Sequence, residues 1–305
     1  MNGGSLSDGT RAPLTASQVY DLLGDHANQV RLVLGSTATG VERVSATLRA
    51  VCDDLAGRYT LLDTKGRKQF EDALVEGRPG ERRVVLSDLL AAEAKDTTCA
   101  ASLQAALHVR PTTPGVTRSV VVVSGAGQVR FWQEALGGEQ PGLGVVSLHR
   151  FDRRTLRVWS LDTGRFATDE RQARLLDLTG GWPLLVARAV DLAVRTESED
   201  AALAELERDL ASPDGAGDLV DAVGLTVDAP LAAAFDSITA FVDAGASLTD
   251  LTDAASLSGH PDPAAAVAVL DALAVFDVGD DGAYRVDPLL VRCWPFRRTP
   301  VAIDA

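Results

Sequence analysis

Val30-Arg31-Leu32-Val33-Leu34-Gly35-Ser36-Thr37-Ala38-Thr39-Gly40-Val41-Glu42 is the stretch on which the fold turns. Residues Val30–Leu34 are β-prone, mostly apolar and few, which predicts a buried strand. Gly35 and Gly40 then flank a four-residue loop. Beyond it Val41, Val44, Leu48, Val51, Cys52 and Leu55 recur at spacings of three to four and predict one face of a helix. Strand, glycine-flanked loop and helix form the context of a phosphate-cradling loop, and the two glycines have the spacing of G-x-x-x-x-G-K-[ST]. The residues that do the chemistry are missing. Val41 stands where a lysine would reach the β- and γ-phosphates, and Glu42 where a hydroxyl would hold Mg²⁺. Glu42 also puts a negative charge where the helix N-terminus would otherwise attract phosphate. Arg43 comes one position late and supplies positive charge only by reaching back. A plain turn explains two glycines five apart equally well.

The same alternation continues along the chain. Residues 17–28 predict a short helix, Tyr59–Leu62 a strand, Lys68–Val75 a helix, Arg83–Ser87 a strand and Leu89–Val109 a helix. Ser119–Val123 is a four-valine strand, followed by a turn at Ser124–Gly127, a helix through Leu136 and a strand at Gly144–Leu148. Five short strands separated by helices predict a three-layer α/β fold around a parallel sheet. After Asp152 the strands stop. Helices are expected at 153–160, 169–177, 182–195 and 203–210, a loop at 212–217, and further helices near 218–224 and 229–244. The last segment has helices at Ser247–Ser256 and Asp262–Leu273. It then has β-prone runs on either side of Gly279-Asp280-Asp281-Gly282, a strong hairpin signal. Helix, helix, hairpin is the order of a winged helix, with a loose tail expected from Trp294.

The charge divides unevenly along this plan. The 305 residues carry 29 Lys+Arg against 43 Asp+Glu, a net of −14. Residues 1–195 hold 24 basic and 22 acidic side chains, and residues 196–305 hold 5 and 21. The acidity therefore belongs to the last third. Hydrophobic residues make up 46% of the chain, enough for a core and too many for a disordered chain. No apolar stretch approaches the roughly 20 residues that span a bilayer. The N-terminus lacks the basic and apolar regions of a secretory signal, which predicts a cytoplasmic protein. Cys52, Cys99 and Cys293 form neither a disulfide framework nor a zinc pattern, and His26, His108, His149 and His260 include no i, i+4 pair.

The whole layout resembles P-loop NTPases of the STAND/AAA+ type over roughly residues 28–290. The resemblance implies a core at 28–150 after an N-terminal segment 1–27, a helical lid at 151–211, and an acidic winged-helix domain and tail at 212–305. It implies nucleotide contacts from Gly35, Ser36, Thr37, Thr39, Gly40 and Arg43. Val84-Val85-Leu86-Ser87-Asp88 is similar to the family's strand that ends in a Mg²⁺-holding Asp, but Leu89 replaces the second acid. Tyr59–Asp63 is an alternative that comes early. Ser124 occupies the sensor position without the usual Asn, Thr or Arg. Thr179-Gly180-Gly181-Trp182-Pro183-Leu184-Leu185 resembles the Gly-x-Pro motif, which implies that Pro183 packs on adenine. Pro183 is also simply good chemistry for a helix start.

With lysine, hydroxyl and second acid absent, the resemblance implies a pseudo-NTPase without hydrolysis that binds ATP or ADP weakly or not at all. No metal is expected beyond Mg²⁺ accompanying such a nucleotide. The expected role is regulation or scaffolding within a signalling or defence assembly. The alternatives are an active ATPase in which Arg43 replaces the lysine, and a DNA-associated regulator. Charge argues against nucleic acid. Residues 246–291 contain eight Asp and one Arg, and Asp262–Leu273 offers no side chain that reads a base edge. A protein partner with a basic surface suits the acidic third better, and no membrane contact is expected. His149-Arg150-Phe151-Asp152-Arg153-Arg154, with Arg157 and Trp159, is the one basic cluster with aromatics. It suits a phosphate, nucleic acid, an acidic partner, the chain's own acidic third, or a solvated helix face. No G-x-S-x-G elbow or complete dinucleotide fingerprint is present.

Overall fold

The computed structural model of the chain describes residues 29–54, 59–64, 67–90, 97–108, 115–136, 142–242, 245–279 and 281–297. The helix expected at 17–28 lies outside these residues. The chain forms two compact units, one made of Met1–Gly35 and Gly40–Leu148, the other of Ser36–Thr39 and His149–Ala305.

The first unit is built on strands β1 (Gln29–Gly35), β2 (Thr60–Thr64), β3 (Arg82–Asp88), β4 (Thr117–Gly125) and β5 (Leu143–Ser147). They pair in the order β2-β3-β4-β1-β5, every pair parallel. Helices α1 (Val44–Asp54), α2 (Arg67–Val75), α3 (Thr97–His108) and α4 (Val129–Leu136) lie between them in sequence. Parallel strands joined by helices are buried on both faces, which is why β4 tolerates Val120-Val121-Val122-Val123 with almost no exposure. One core cluster joins Val33, Val41, Val44, Leu48 and Cys52 to Val84, Leu86, Val121 and Val123. The helical periodicity after Gly40 thus finds the sheet it was expected to cover. Arg118 is the exception in this apolar layer. Its buried guanidinium donates to the carbonyls of Leu74 (2.6 Å) and Ala106 (3.0 Å), near the ends of α2 and α3. A cation there meets both the orphan carbonyls and the negative ends of two helix dipoles.

One boundary departs from expectation. The helix predicted from Leu89 begins at Thr97, with 91–96 outside the described residues. The Leu89 N–H donates to the Val123 carbonyl, extending the sheet contact, and Asp88 Oδ1 accepts from the Leu90 N–H. Both bonds hold the chain out of a helix.

In the second unit α5 (Arg153–Thr163), α6 (Asp169–Thr179), α7 (Pro183–Thr196) and α8 (Glu199–Leu210) precede α9 (Pro213–Val223). The loop expected at 212–217 is instead the first turns of α9. Ser212 caps it by accepting from the Gly215 N–H, and Pro213 sits in the first turn. Gly215 serves packing and not a turn, because a Cβ there would lie 2.3 Å from the Asp209 carbonyl oxygen. Then come α10 (Ala229–Phe241), α11 (Leu248–Ser256), α12 (Pro263–Ala272), and the antiparallel pair β6 (Phe276–Val278) and β7 (Tyr284–Val286). Ala246 bridges to Tyr284 beside that hairpin. Val267 and Leu270 of α12 are core, whereas Ala264 is exposed.

A helix that periodicity did not suggest, α13 (Pro288–Cys293), follows β7. The tail is held as far as Arg297. Trp294 is buried edge-on against Phe235, its indole donates to Asp236 at 2.5 Å, and Arg297 stacks over the Trp294 ring.

Gly215→Ala is expected to destabilise the protein by about 1–3 kcal/mol, the usual cost of overpacking. The loss should appear as a lower midpoint in chemical unfolding, whereas Ala264→Ser should leave the midpoint unchanged.

Candidate functional site

The ends of three strands meet in register at the carboxyl edge of the first unit's sheet. Gly35 lies opposite Gly125, and Asp88 opposite Val123. This brings the start of the glycine-flanked loop, Ser124 and Asp88 to neighbouring strand ends, the edge at which open α/β sheets bind ligands.

Across the loop itself, Gly40 takes a left-handed φ of 77°, and Val41–Arg43 form a 3₁₀ turn that runs into α1. Gly35, Ser36, Ala38, Thr39 and Gly40 are buried; Thr37 and Glu42 are exposed, and Arg43 is half-buried. The loop's polar groups are turned on one another. The Ser36 N–H donates to Thr39 Oγ1 at 2.8 Å, the Thr39 N–H to the Ser36 carbonyl at 3.1 Å, and the Thr39 hydroxyl to the same carbonyl at 3.0 Å. Ala38 belongs with Ser36 and Thr39 to the second unit, and its peptide groups are used there. Its N–H donates to the Ala222 carbonyl of α9 at 3.0 Å, and its carbonyl accepts from the Leu184 N–H at 3.1 Å. Leu184 is in the first turn of α7, whose N–H groups have no partner within the helix. The amides of Ser36, Ala38 and Thr39 are therefore each engaged with protein oxygens. A phosphate cradle needs such amides pointing at the ligand. The lysine position is filled by Val41, 3% exposed and packed into the apolar core. The residues present do not fit a triphosphate held in the manner of a complete P-loop.

Asp88 and Ser124 are engaged as well. Asp88 Oδ2 accepts a 2.6 Å hydrogen bond from Ser45 Oγ, and Ser124 Oγ accepts from the Trp132 indole N–H at 3.0 Å. Neither Ser45 nor Trp132 was singled out in the sequence. Ser45 lies three positions, about one helical turn, beyond Glu42. The signal was a serine on the inward stripe of α1.

The Thr179–Leu185 segment is a packing centre of the second unit. Gly180 and Gly181 both have positive φ, and a Cβ on Gly181 would lie 2.1 Å from the Phe151 carbonyl oxygen. Pro183 occupies the first turn of α7 and is buried. Trp182 is fully buried, and its indole donates to Asp287 Oδ2 at 2.6 Å. Arg150, from the basic cluster, pairs with Asp287 at 2.9 Å and Asp277 at 2.6 Å. It also donates to the carbonyls of Ala274 and Gly180 and lies over the Trp182 ring. Part of that cluster thus meets the chain's own acidic third. Arg153, Arg154 and Arg157 remain exposed. Burial pushes the Asp287 carboxyl above the ordinary aspartate value, against the pull of Arg150 and the Trp182 indole.

No protein-family model matches this chain, and no curated protein sequence does. Among solved structures it is similar to a Walker-type ATPase of Pyrococcus abyssi, with 13% identity, TM-score 0.53, and coverage of 92% of this chain and 94% of that one. A STAND protein with a tetratricopeptide repeat sensor from Pyrococcus horikoshii aligns at 12% identity and TM-score 0.37, over 92% of this chain and 42% of its own. The Thermotoga maritima RuvB Holliday junction branch migration motor aligns at 12% identity and TM-score 0.34, over 94% and 96%. The first likeness shows the fold. The first unit is a P-loop NTPase-like α/β core, and helices follow it in the chain. Among the described residues no helix is long and apolar enough to cross a membrane.

Trp182→Phe should cost about 1.5–3 kcal/mol at neutral pH, the worth of a hydrogen bond to a charged group. Because the folded carboxyl titrates above the unfolded one, Asp287 favours the folded state most once protonated, and that contribution is lost as pH rises through the folded value. The indole's bond to the charged form matters less after protonation. The gap in unfolding midpoint between variant and parent should therefore narrow as pH falls into the carboxylate range. A gap constant with pH would assign the loss to packing alone.

Proposed function

We propose that this chain is a regulatory or scaffolding relative of P-loop NTPases in which the phosphate loop has become a packing element of the second unit. It performs no hydrolysis and works through protein contacts of its acidic C-terminal region. The observation that carries this reading is the fate of the loop amides. Ser36, Ala38 and Thr39 donate to protein oxygens, and Ala38 is clasped through both of its peptide groups. Opening the loop for a phosphate would break those bonds, and each buried polar group left unpaired costs about 1–3 kcal/mol. The missing lysine removes charge stabilisation that phosphoryl transfer depends on. Pro183 acts as the start of α7, with its neighbour Leu184 spent on Ala38.

The order α10, Ala246 bridge, α11, α12 and β6-β7 hairpin supports reading the last segment as a winged helix. Its net charge turns it toward a protein with a basic surface and away from DNA. Membership of a signalling or defence assembly follows only from the STAND/AAA+ resemblance.

One observation favours an active ATPase instead. The hydroxyl–carboxylate pair Ser45–Asp88 of the first unit keeps two groups of the kind that hold Mg²⁺. Phosphate release from Mg-ATP, measured with thermal-shift titrations of ATP and ADP, separates the readings. No turnover and no shift at millimolar nucleotide is the expected result. Turnover lost in both Asp88→Asn and Arg43→Ala would overturn the proposal in favour of the active enzyme.

A further inference from the structure

The acidic third also has a basic counterpart of matching shape on this same chain. On α5 the buried side is Leu156, Trp159 and Ser160, which turns Arg154, Arg157 and Leu161 outward at i, i+3 and i+7. On α11 the buried side is Leu251, Ala254 and Ala255, which turns Asp250, Asp253 and Leu257 outward at the same spacing. Leu161 is 66% exposed and Leu257 63%. Each stripe is thus two like charges followed four residues later by a large aliphatic side chain in water, with signs opposed.

The second unit does pair its charges elsewhere. Arg171, Arg174, Arg188 and Arg195 on α6 and α7 each bond a carboxylate on α8. By contrast, among the described residues no carboxylate bonds the Arg157 guanidinium and no cation bonds the Asp253 carboxylate. We propose that the α5 stripe of one copy docks on the α11 stripe of another, giving a head-to-tail association of this chain. Laid side by side in the same direction, the helices set Arg154 against Asp250, Arg157 against Asp253 and Leu161 against Leu257. Because different surfaces meet, the contact is heterologous and extends beyond two copies unless its rotation closes a ring.

The exposed Leu161 selects this occupant over a polyphosphate, because an aliphatic side chain beside the two arginines gains from burial against Leu257 and gains nothing from a phosphate. The inference is independent of nucleotide binding, so it survives or fails apart from the functional reading above.

Sedimentation velocity on the full chain over a concentration series, at low and high salt, tests it. The expected result is reversible association that salt weakens. Two exposed ion pairs together contribute on the order of tenfold in affinity. Arg154→Glu/Arg157→Glu and Asp253→Lys/Leu257→Lys should each weaken self-association by that factor or more. Asp250 is left in place because its carboxylate caps α11. An equimolar mixture of the two variants should associate, since each keeps one native stripe. Unchanged circular dichroism and melting temperature confirm that both fold. A single-chain mass at every concentration would overturn the proposal. So would association that both variants retain, or salt-sensitive binding of duplex DNA through Arg154 and Arg157 without self-association.

Discussion

Arg150 sets the terms on which the second unit packs. Its guanidinium is 7% exposed, and an unpaired cation at that depth is not tolerated. Two carboxylates, two carbonyls and an indole ring answer it, drawn from segments more than a hundred residues apart: Gly180 and Trp182, Ala274 and Asp277, and Asp287. Asp287 is itself nearly inaccessible and accepts from the Trp182 indole and from the Leu289 N–H at the start of α13. A buried ion pair of this kind is weak evidence for stability, because the desolvation of both charges offsets most of their attraction. Removing one partner alone is another matter and costs about 3–5 kcal/mol. What the network supplies is definition. The Gly180–Pro183 turn, the start of the hairpin and the start of α13 are each held by the same guanidinium or its partner.

The loop after β1 obeys the same rule by different means. Buried backbone groups must be paired, and in a nucleotide-binding protein the ligand does part of that pairing. Here protein oxygens do it. The Thr39 hydroxyl stands in as acceptor for the Ser36 amide, and the Ala222 carbonyl as acceptor for Ala38. Val41 follows from the same economy. Where a lysine needs an open path to phosphate, a valine adds to a core already containing Val44, Leu48 and Val123. Ser36, Ala38, Thr39 and Val41 are, for the packing of the chain, consistent with one another.

This consistency explains which features could be read from the amino acids alone. The strands were plain because a parallel sheet buries both faces and so demands uninterrupted apolar runs, as in Val120–Val123. Helix starts were plain where Asp152, Thr168 or Ser247 cap the first turn. The failures came where a residue's usual local meaning was overridden by a distant contact. Ser212-Pro213-Asp214-Gly215-Ala216-Gly217 has the composition of a loop, yet Gly215 is small because Asp209 leaves it no room. Trp294 sits among prolines and looks like a tail, yet Phe235 and Asp236 hold it. At the site, Gly35, Gly40 and Asp88 could be placed by spacing. Of the groups that engage the loop and Asp88, Ala222 and Ser45 lie outside any motif window, and Leu184 belongs to a motif that pointed to adenine packing and not to its bond with the Ala38 carbonyl.

The net charge gains meaning from the same geometry. The five acidic residues Glu199, Asp200, Glu205, Glu207 and Asp209 all lie on α8, and every one faces an arginine of α6 or α7. Exposed pairs like these contribute about 0–1 kcal/mol each, so they are poor candidates for what holds α8 in place. That work falls to Ala202, Leu203, Leu206 and Leu210, which are buried. The pairs instead cancel field, so this stretch of the acidic third presents little net charge to an approaching molecule. In the segment from Ala246 to Val291, Arg285 pairs with Asp281 and Arg150 with Asp277 and Asp287. Asp250, Asp253 and Asp277 are exposed there, and an incoming surface meets them. On the proposed reading, electrostatic selection of a partner would act at α11 and the hairpin, where exposed carboxylates disfavour phosphate backbones and suit a cationic face.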